Sequence, residues 1–457
     1  MGDGFADQLG EAMGGARVLT DPDLMEPYRH DRTTWVTPGH PRAVAFAETT
    51  AQVSAAVKVA AANGVPVVPR GAGSSLCAGS SAMDGSLILS LERMDRVLEI
   101  LPDDQQAVVE PGVLNADLSV ATAEHGLFYP PDPASKAFCS IGGNIATNAG
   151  GLCCVKYGVT RDYVLGLEVV LADGTVFETG RRTIKGVAGL DLTQLLIGSE
   201  GTLGIVTRAR VRLRPAPEAA ATMAAFFGDL GAAGRAVAAI TRSGLTPSLL
   251  EIMDQRTVCL VDDWKRMGLD RDCAAMLLAQ SDAPGAQRAE EIARIGELCE
   301  QAGATYLAVT HDPDEAEALL QARRLAGPAI EQRGIAVWED IGVPRSKLPE
   351  LIDAVQAAAA RRGADVYVFG HAGDGNLHPT FLVPHGDDDA MARTLEAFDD
   401  IIDVALELGG TCTGEHGVGR LKARHLEREV GPVAVGVMRS IKRALDPQGI
   451  LNPGRWL

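Results

Sequence analysis

Short apolar runs broken by Gly, Pro, Asn and Asp alternate along this chain with longer stretches of helical periodicity. Residues 42–50 (RAVAFAETT) read as a strand ending at Thr50, a helix N-cap. Ala51 to Ala62 is helix-forming, Asn63-Gly64 stops it, and Val65 to Val68 returns as a strand, so the stretch reads as a βαβ unit. Short strands are expected at 86–91, 97–101 and 107–110, and a helix over 114–125. Residues 164–171 and 175–179 read as a hairpin turned at Asp173-Gly174, followed by a helix at 191–196 and a strand at 205–213. Arg214-Pro215-Ala216-Pro217 reads as a linker. Beyond it the composition shifts to Ala-rich helices alternating with strands: helices at 234–242, 289–302, 315–325 and 346–361, and a strand at 334–338. A long helix over 387–408 ends at Gly409-Gly410, further helices reach Leu445, and the remainder is irregular.

Just before that long helix, two β-branched and aromatic runs, 366–369 and 377–383, flank Gly370-His371-Ala372-Gly373-Asp374-Gly375-Asn376. Asp374-Gly375 suits a type I′ turn, in which both central residues need positive φ. With that turn His371 faces His378 directly, and opposed residues share a face with Cβ atoms about 5 Å apart. Two imidazoles so placed suit one metal ion. The alternative is a stacked histidine pair with no ion. Asp374 is read as a turn former. Downstream, Gly414-Glu415-His416-Gly417 offers a carboxylate and a further imidazole. His30, His40, His125, His311, His385 and His425 are read as surface residues.

Three loops upstream carry little but small residues: 70–79 (RGAGSSLCAG), 140–151 (SIGGNIATNAGG) and 198–207 (GSEGTLGIVT). None is G-x-G-x-x-G or a P-loop with its Lys. One such loop is ordinary, but three within one region suggest an extended dinucleotide held mainly by backbone N–H groups.

Composition narrows the class. A chain of 457 residues is too long for one ordinary core, so two or three domains are expected. The formal charge of −18 argues against nucleic-acid binding, which needs basic patches. The eight cysteines include no C-x-x-C pair, so neither a disulfide framework nor an iron–sulfur segment is indicated, and a reduced, cytoplasmic protein is expected. Met1 to Gly15 carries Asp3, Asp7 and Glu11 and does not read as a signal peptide. The uncharged stretch around the second loop is too rich in Gly and Asn to span a bilayer, so any membrane contact is expected to be peripheral.

Seven motifs in order carry a family resemblance: PRGAGSSLCAG at 69–79, PPDPAS at 130–135, IGGNIATNAGG at 141–151, GSEGTLGIVT at 198–207, GHAGDGNLH at 370–378, GEHGVG at 414–419 and DPQGILNPGR at 446–455. The chain resembles the FAD-linked oxidases with a PCMH-type (vanillyl-alcohol-oxidase-like) flavin domain, in the branch of the D-2-hydroxyacid dehydrogenases. That branch includes D-lactate dehydrogenase (cytochrome), the glycolate oxidase flavin subunit and D-2-hydroxyglutarate dehydrogenase. The resemblance implies an α+β protein. It would comprise an N-terminal segment (1–36), a PCMH-type FAD-binding domain of two α+β subdomains (37–215), and an α+β substrate or cap domain with an antiparallel sheet (216–420). A C-terminal helical segment (421–457) would pack back on the FAD domain. It places the FAD pyrophosphate on Gly71, Ala72, Gly73, Ser74 and Ser75. Further contacts are implied from Arg70, Gly79, Pro131, Asp132, Ser135, Gly142, Gly143, Asn148, Gly150, Gly151, Glu200, Gly201 and Ile205, with Asn452 near the isoalloxazine. Some relatives attach FAD through a His in or near the first loop. This loop has none, so non-covalent FAD is expected.

The implied chemistry is oxidation of a D-2-hydroxyacid to the 2-oxoacid, with hydride passing to flavin N5. His371, His378 and Glu415 are the implied metal ligands, zinc first and manganese as the alternative. The ion would lower the pKa of the substrate hydroxyl, and the adjacent His416 would be the base. The family's substrate-carboxylate arginine falls in LLQARRLAGPAI at 319–330, on Arg323 with Arg324 as the shifted alternative, and Arg345 or Lys347 would add a second cation. The hydroxyglutarate branch has a Lys near the strand before the Val-Pro segment. Here that stretch reads Trp338-Glu339-Asp340, which favours a small acid such as D-lactate, with glycolate next. The competing readings are D-2-hydroxyglutarate dehydrogenase, an FAD oxidase of alcohols, sugars or phenols, and a non-catalytic flavin subunit. Expected partners are the 2-hydroxyacid, a second copy of the chain, and a separate electron acceptor: a quinone, a cytochrome, an electron-transfer flavoprotein or an iron–sulfur subunit.

Overall fold

The computed structural model describes residues 4–457, so the first three residues of the N-terminal stretch, Asp3 among them, lie outside the described residues. The chain forms two compact units. One comprises the residues up to Gly150, Val159–Ala216 and Glu415–Leu457, and the other Gly151–Gly158 and Pro217–Gly414. Both mix helices and sheets, an α+β architecture.

The first unit holds two sheets. In the four-stranded one, Ala43–Phe46, Leu87–Ser90 and Val67–Arg70 run parallel in that spatial order, with Val18–Leu19 antiparallel at the edge. The helix Thr50–Ala62 makes the crossover from Ala43–Phe46 to Val67–Arg70, which parallel strands require. Its cap is Thr49, not Thr50, because the Thr49 hydroxyl accepts from the Gln52 amide. Val53, Ala56, Val57 and Ala60 line the inward face. Burying the two valines is worth roughly 3–6 kcal/mol. The second sheet is antiparallel, in the order Val97–Leu101, Gln106–Val109, Ile205–Arg212, Val164–Val170, Val176–Glu178. Ile205–Arg212 alternates strictly between buried and half-buried positions, the mark of a strand covered on one face.

The second unit is built on an antiparallel sheet in the order Ala304–Thr310, Ala221–Phe227, Ala275–Ser281, Leu249–Asp254, Val366–His371, Asn376–Val383, Ile335–Trp338. Ala221–Phe227 falls where Ala-rich helices were expected. It is a strand buried at every position, so it shows neither the period of a surface helix nor the alternation of a half-exposed strand. The same holds for Leu249–Asp254. His425, expected at the surface, is buried beside Leu426 on the inward face of the helix Ala423–Leu445. That helix breaks at Gly431, whose φ of 82° precedes Pro432.

The hairpin forms with a different register. His371 pairs with Asn376 and Phe369 with His378, so four residues, Ala372 to Gly375, make the turn. The Asp374 amide donates to the His371 carbonyl, and the Gly375 amide to that of Ala372. Only Gly375 of the Asp-Gly pair has positive φ, at 75°, so the turn is not type I′. The register differs from the expected one by two residues. Side chains alternate with period two, so both histidines still point to one face, as diagonal rather than opposed neighbours.

Candidate active site

The buried polar cluster of the second unit starts from that diagonal pair. The His371 and His378 rings lie edge to face with centroids 5.0 Å apart, and a ring nitrogen of each lies within 4.8 Å of the other. Two ligands of one zinc ion sit about 3.4 Å apart for metal–nitrogen bonds near 2.0 Å, so small rotations would serve both. The neighbouring strand supplies Glu251, whose side chain is fully buried. Its Oε1 lies 2.7 Å from His371 Nδ1. A carboxylate only accepts, so Nδ1 carries the proton and Nε2 the lone pair, the arrangement a metal-binding histidine would use.

Glu251 Oε2 lies 2.8 Å from Arg323 Nε, an ion pair that is not aligned as a hydrogen bond. Arg323 is 3% exposed, and its guanidinium lies 4.9 Å from the Phe369 ring centre. Arg324 points the other way and pairs with Glu317 at 2.6 Å, so the helix Pro313–Arg324 turns the first of the two arginines inward. Lys347 pairs with Glu350 and Arg345 is exposed.

On the far side of His378, Nδ1 lies 3.6 Å from Asp340 Oδ1. Asp340 also accepts from Asn376 Nδ2 and from the Thr413 hydroxyl, both at 2.8 Å. Gly414 closes this corner: a Cβ there would fall 1.7 Å from Asn376 Nδ2. The acids of Trp338-Glu339-Asp340 are therefore engaged locally, and the Trp338 ring fills the space beside Gly327. Glu251 escaped the sequence reading, as did the parts that Asp340 and Asn376 play in this corner. A signal was present for Glu251, a single acid inside the apolar run Leu249-Leu250-Glu251-Ile252-Met253.

The first unit contains the 414–419 motif from Glu415 onward and most of the expected flavin residues. Glu200, expected to contact flavin, directs its carboxylate to the amides of Val418 (2.8 Å) and Gly419 (2.9 Å). Burial pushes this carboxyl up to about 7, partly offset by those two donors. Gly417 and Gly419 have positive φ, and a Cβ on Gly419 would strike the Cys77 carbonyl at 2.0 Å. Glycine at 419 is thus required by conformation and by space. Gly150 seats the Glu415 carboxylate: its Cβ would lie 2.5 Å from Oε2. Asn452 is buried and ties the C-terminal segment to the carbonyls of Gly79 (3.0 Å) and Glu200 (2.7 Å).

The first loop suits an anionic ligand. Among the described residues, the amides of Gly71 to Ser75 donate to no protein acceptor. The Arg70 guanidinium lies against Gly73, and its Nη1 is buried without a hydrogen-bond partner. Gly71 faces Ser140, whose Oγ would sit 2.4 Å from a Cβ, so the first two small-residue loops meet. Backbone amides and a buried cation are the groups a pyrophosphate needs. Elsewhere Gly142 donates to the Pro111 carbonyl, the Pro131 carbonyl accepts from Asn115, and that of Ser135 from Phe138 and Cys139. Asp132 is half-buried, and Asn148 caps the helix Ile141–Thr147 in the left-handed conformation. Gly201 abuts Pro69, and Ile205 joins the core. Gly151 falls in the second unit.

Known proteins match this architecture along its length. Residues 41–180 match the family described as FAD binding domain, and residues 216–456 the family of FAD linked oxidases, C-terminal domain. Glycolate oxidase subunit GlcD of Bacillus subtilis is 42% identical over 91% of this chain and 88% of its own length. D-lactate dehydrogenase of Anaerostipes hadrus is 34% identical over 96% and 94%. D-2-hydroxyglutarate dehydrogenase of Stutzerimonas stutzeri is 31% identical over 98% of each. Among solved structures, 4-ethylphenol oxidase from Gulosibacter chungangensis aligns with a TM-score of 0.83 at 20% identity, covering 99% of this chain and 96% of that one. That likeness carries the fold alone.

Proposed function

Because the chain belongs to the FAD-linked oxidases, we propose that it oxidises a D-2-hydroxyacid, D-lactate before glycolate, to the 2-oxoacid. The observation that carries this reading is the buried His371–Glu251–Arg323 chain with His378 beside it. It offers metal-ligating nitrogens and a carboxylate-gripping cation on one sheet face. His371 and His378 would hold a zinc or manganese ion. Glu415 would be the third ligand, one peptide bond beyond Gly414, which is seated on Asn376. Bound there, the ion would lower the pKa of the substrate hydroxyl. Bound FAD supplies the hydride acceptor. Arg323 grips the substrate carboxylate and so orients the Cα–H bond. His416, next to Glu415, takes the hydroxyl proton. Trp338 and the absence of a cation in Trp338-Glu339-Asp340 support a small substrate over a dicarboxylate.

The protein would work in the cytoplasm and pass electrons to a separate acceptor: a quinone, a cytochrome, an electron-transfer flavoprotein or an iron–sulfur subunit. Among the described residues no helix is long and apolar enough to cross a membrane, and none of the eight cysteines forms a disulfide. The test is anaerobic flavin reduction across D- and L-2-hydroxyacids. D-lactate should bleach the flavin and L-lactate should not. Bleaching by D-2-hydroxyglutarate alone would reassign the substrate. His371→Ala should lower bound metal and slow reduction at least about 100-fold; unchanged turnover would overturn the metal mechanism.

A further inference from the structure

We infer that Glu251 is a positioning residue that ties the metal ligand to the substrate-binding arginine, so that metal and hydroxyacid affinities depend on one carboxylate. The inference rests on the reading given above and gives a role to the one member of the His371–Glu251–Arg323 chain to which that reading assigns none. Glu251 lies in the middle of a strand buried at every position, whose other acid, Asp254, sits at its end and caps the following helix by accepting from the Thr257 amide. A carboxylate without exposure is costly unless each oxygen is compensated. Here the two oxygens are divided between two functional side chains: Oε1 with His371 Nδ1 at 2.7 Å, Oε2 with Arg323 Nε at 2.8 Å.

The first contact fixes the His371 tautomer and makes its Nε2 a stronger donor to a cation. The second holds a 3%-exposed guanidinium in one orientation, leaning on Phe369. Phe369 pairs with His378 across the hairpin, so one wall positions all three groups. The arginine contact runs through Nε and leaves the terminal amino groups for a ligand carboxylate. A purely structural ion pair would require none of this arrangement toward the histidine.

The test compares wild type with Glu251→Gln in the flavin-loaded protein. Zinc affinity is measured by titration calorimetry without substrate, and D-lactate affinity by the concentration dependence of anaerobic flavin reduction. The amide is a weaker acceptor for His371 and no counter-ion for Arg323. Zinc affinity should fall roughly tenfold. The half-saturating D-lactate concentration should rise by at least a similar factor, more than the limiting rate falls. Loss of stability with both affinities intact would reduce Glu251 to a structural role and overturn the inference. If the Gln variant fails to fold, Glu251→Met with Arg323→Met removes the unpaired charge. Zinc binding to that folded double variant should still be weakened, and wild-type zinc affinity in it would equally overturn the inference. Wild-type protein that binds no zinc and is reduced by no hydroxyacid would instead defeat the functional reading itself.

Discussion

At the scale of single residues, position within the fold reassigns chemistry that residue type alone suggests. Glu200 lies in a loop whose composition points to a cofactor, yet its carboxylate braces the Gly417–Gly419 backbone. Its carboxyl titrates near 7 when folded, against an ordinary value of 4.5. Between those values the folded protein holds a proton that the unfolded chain has released. The contribution therefore favours folding below the ordinary value and is lost as pH rises through about 7. Glu200→Gln, neutral throughout, is expected to show a melting temperature that changes less between about pH 5 and about pH 8 than wild type, by on the order of a few degrees. Equal slopes in thermal melts would remove the assignment.

Elements set which residues meet. The histidine pair survives a turn of the wrong type because parity, not exact register, decides the face of a strand. The turn depends on Gly375, whose positive φ is joined by a close approach: a Cβ would lie 2.3 Å from the Val343 carbonyl. Gly375→Ala has no flexible neighbour to displace. A loss of stability of about 1–3 kcal/mol is expected, with a fall in bound metal, since the turn sets the His371–Asn376 pairing. Denaturant midpoints and metal analysis of the same preparation check both halves.

Across the whole molecule, contacts far apart in sequence hold the cofactor-binding unit together. Lys442 is buried and donates to Asp446 Oδ2 (2.5 Å) and to the carbonyls of Thr202 and Leu451 (both 2.7 Å). Leu451 bridges Val67, and the Asn452 amide donates to the Val67 carbonyl. The final residues thus extend the parallel sheet and brace the loop after Gly198. Asp446→Ala leaves a buried ammonium unpaired, a cost of about 3–5 kcal/mol. A protein that melts earlier and loses flavin on gel filtration is expected, and wild-type flavin retention would show that the C-terminal segment does not support that loop.

Sequence alone determined what local chemistry dictates. Glycine loops, turn residues and helix stops are written in neighbouring positions, so the α+β succession and the two flavin-family loops at 70–79 and 140–151 were legible. So were His371, His378 and the inward Arg323, because a hairpin and a motif fix them within a few residues. The tertiary structure decided the rest. Strands buried on both faces carry no period, so Ala221–Phe227 was hidden in an Ala-rich stretch. Glu251 was an acid in an apolar run without a visible partner, because its partners lie 120 residues away on the strand of His371 and on the helix that carries Arg323. Burial gives such a carboxylate its role, and burial belongs to the assembled sheet, not to any segment of it.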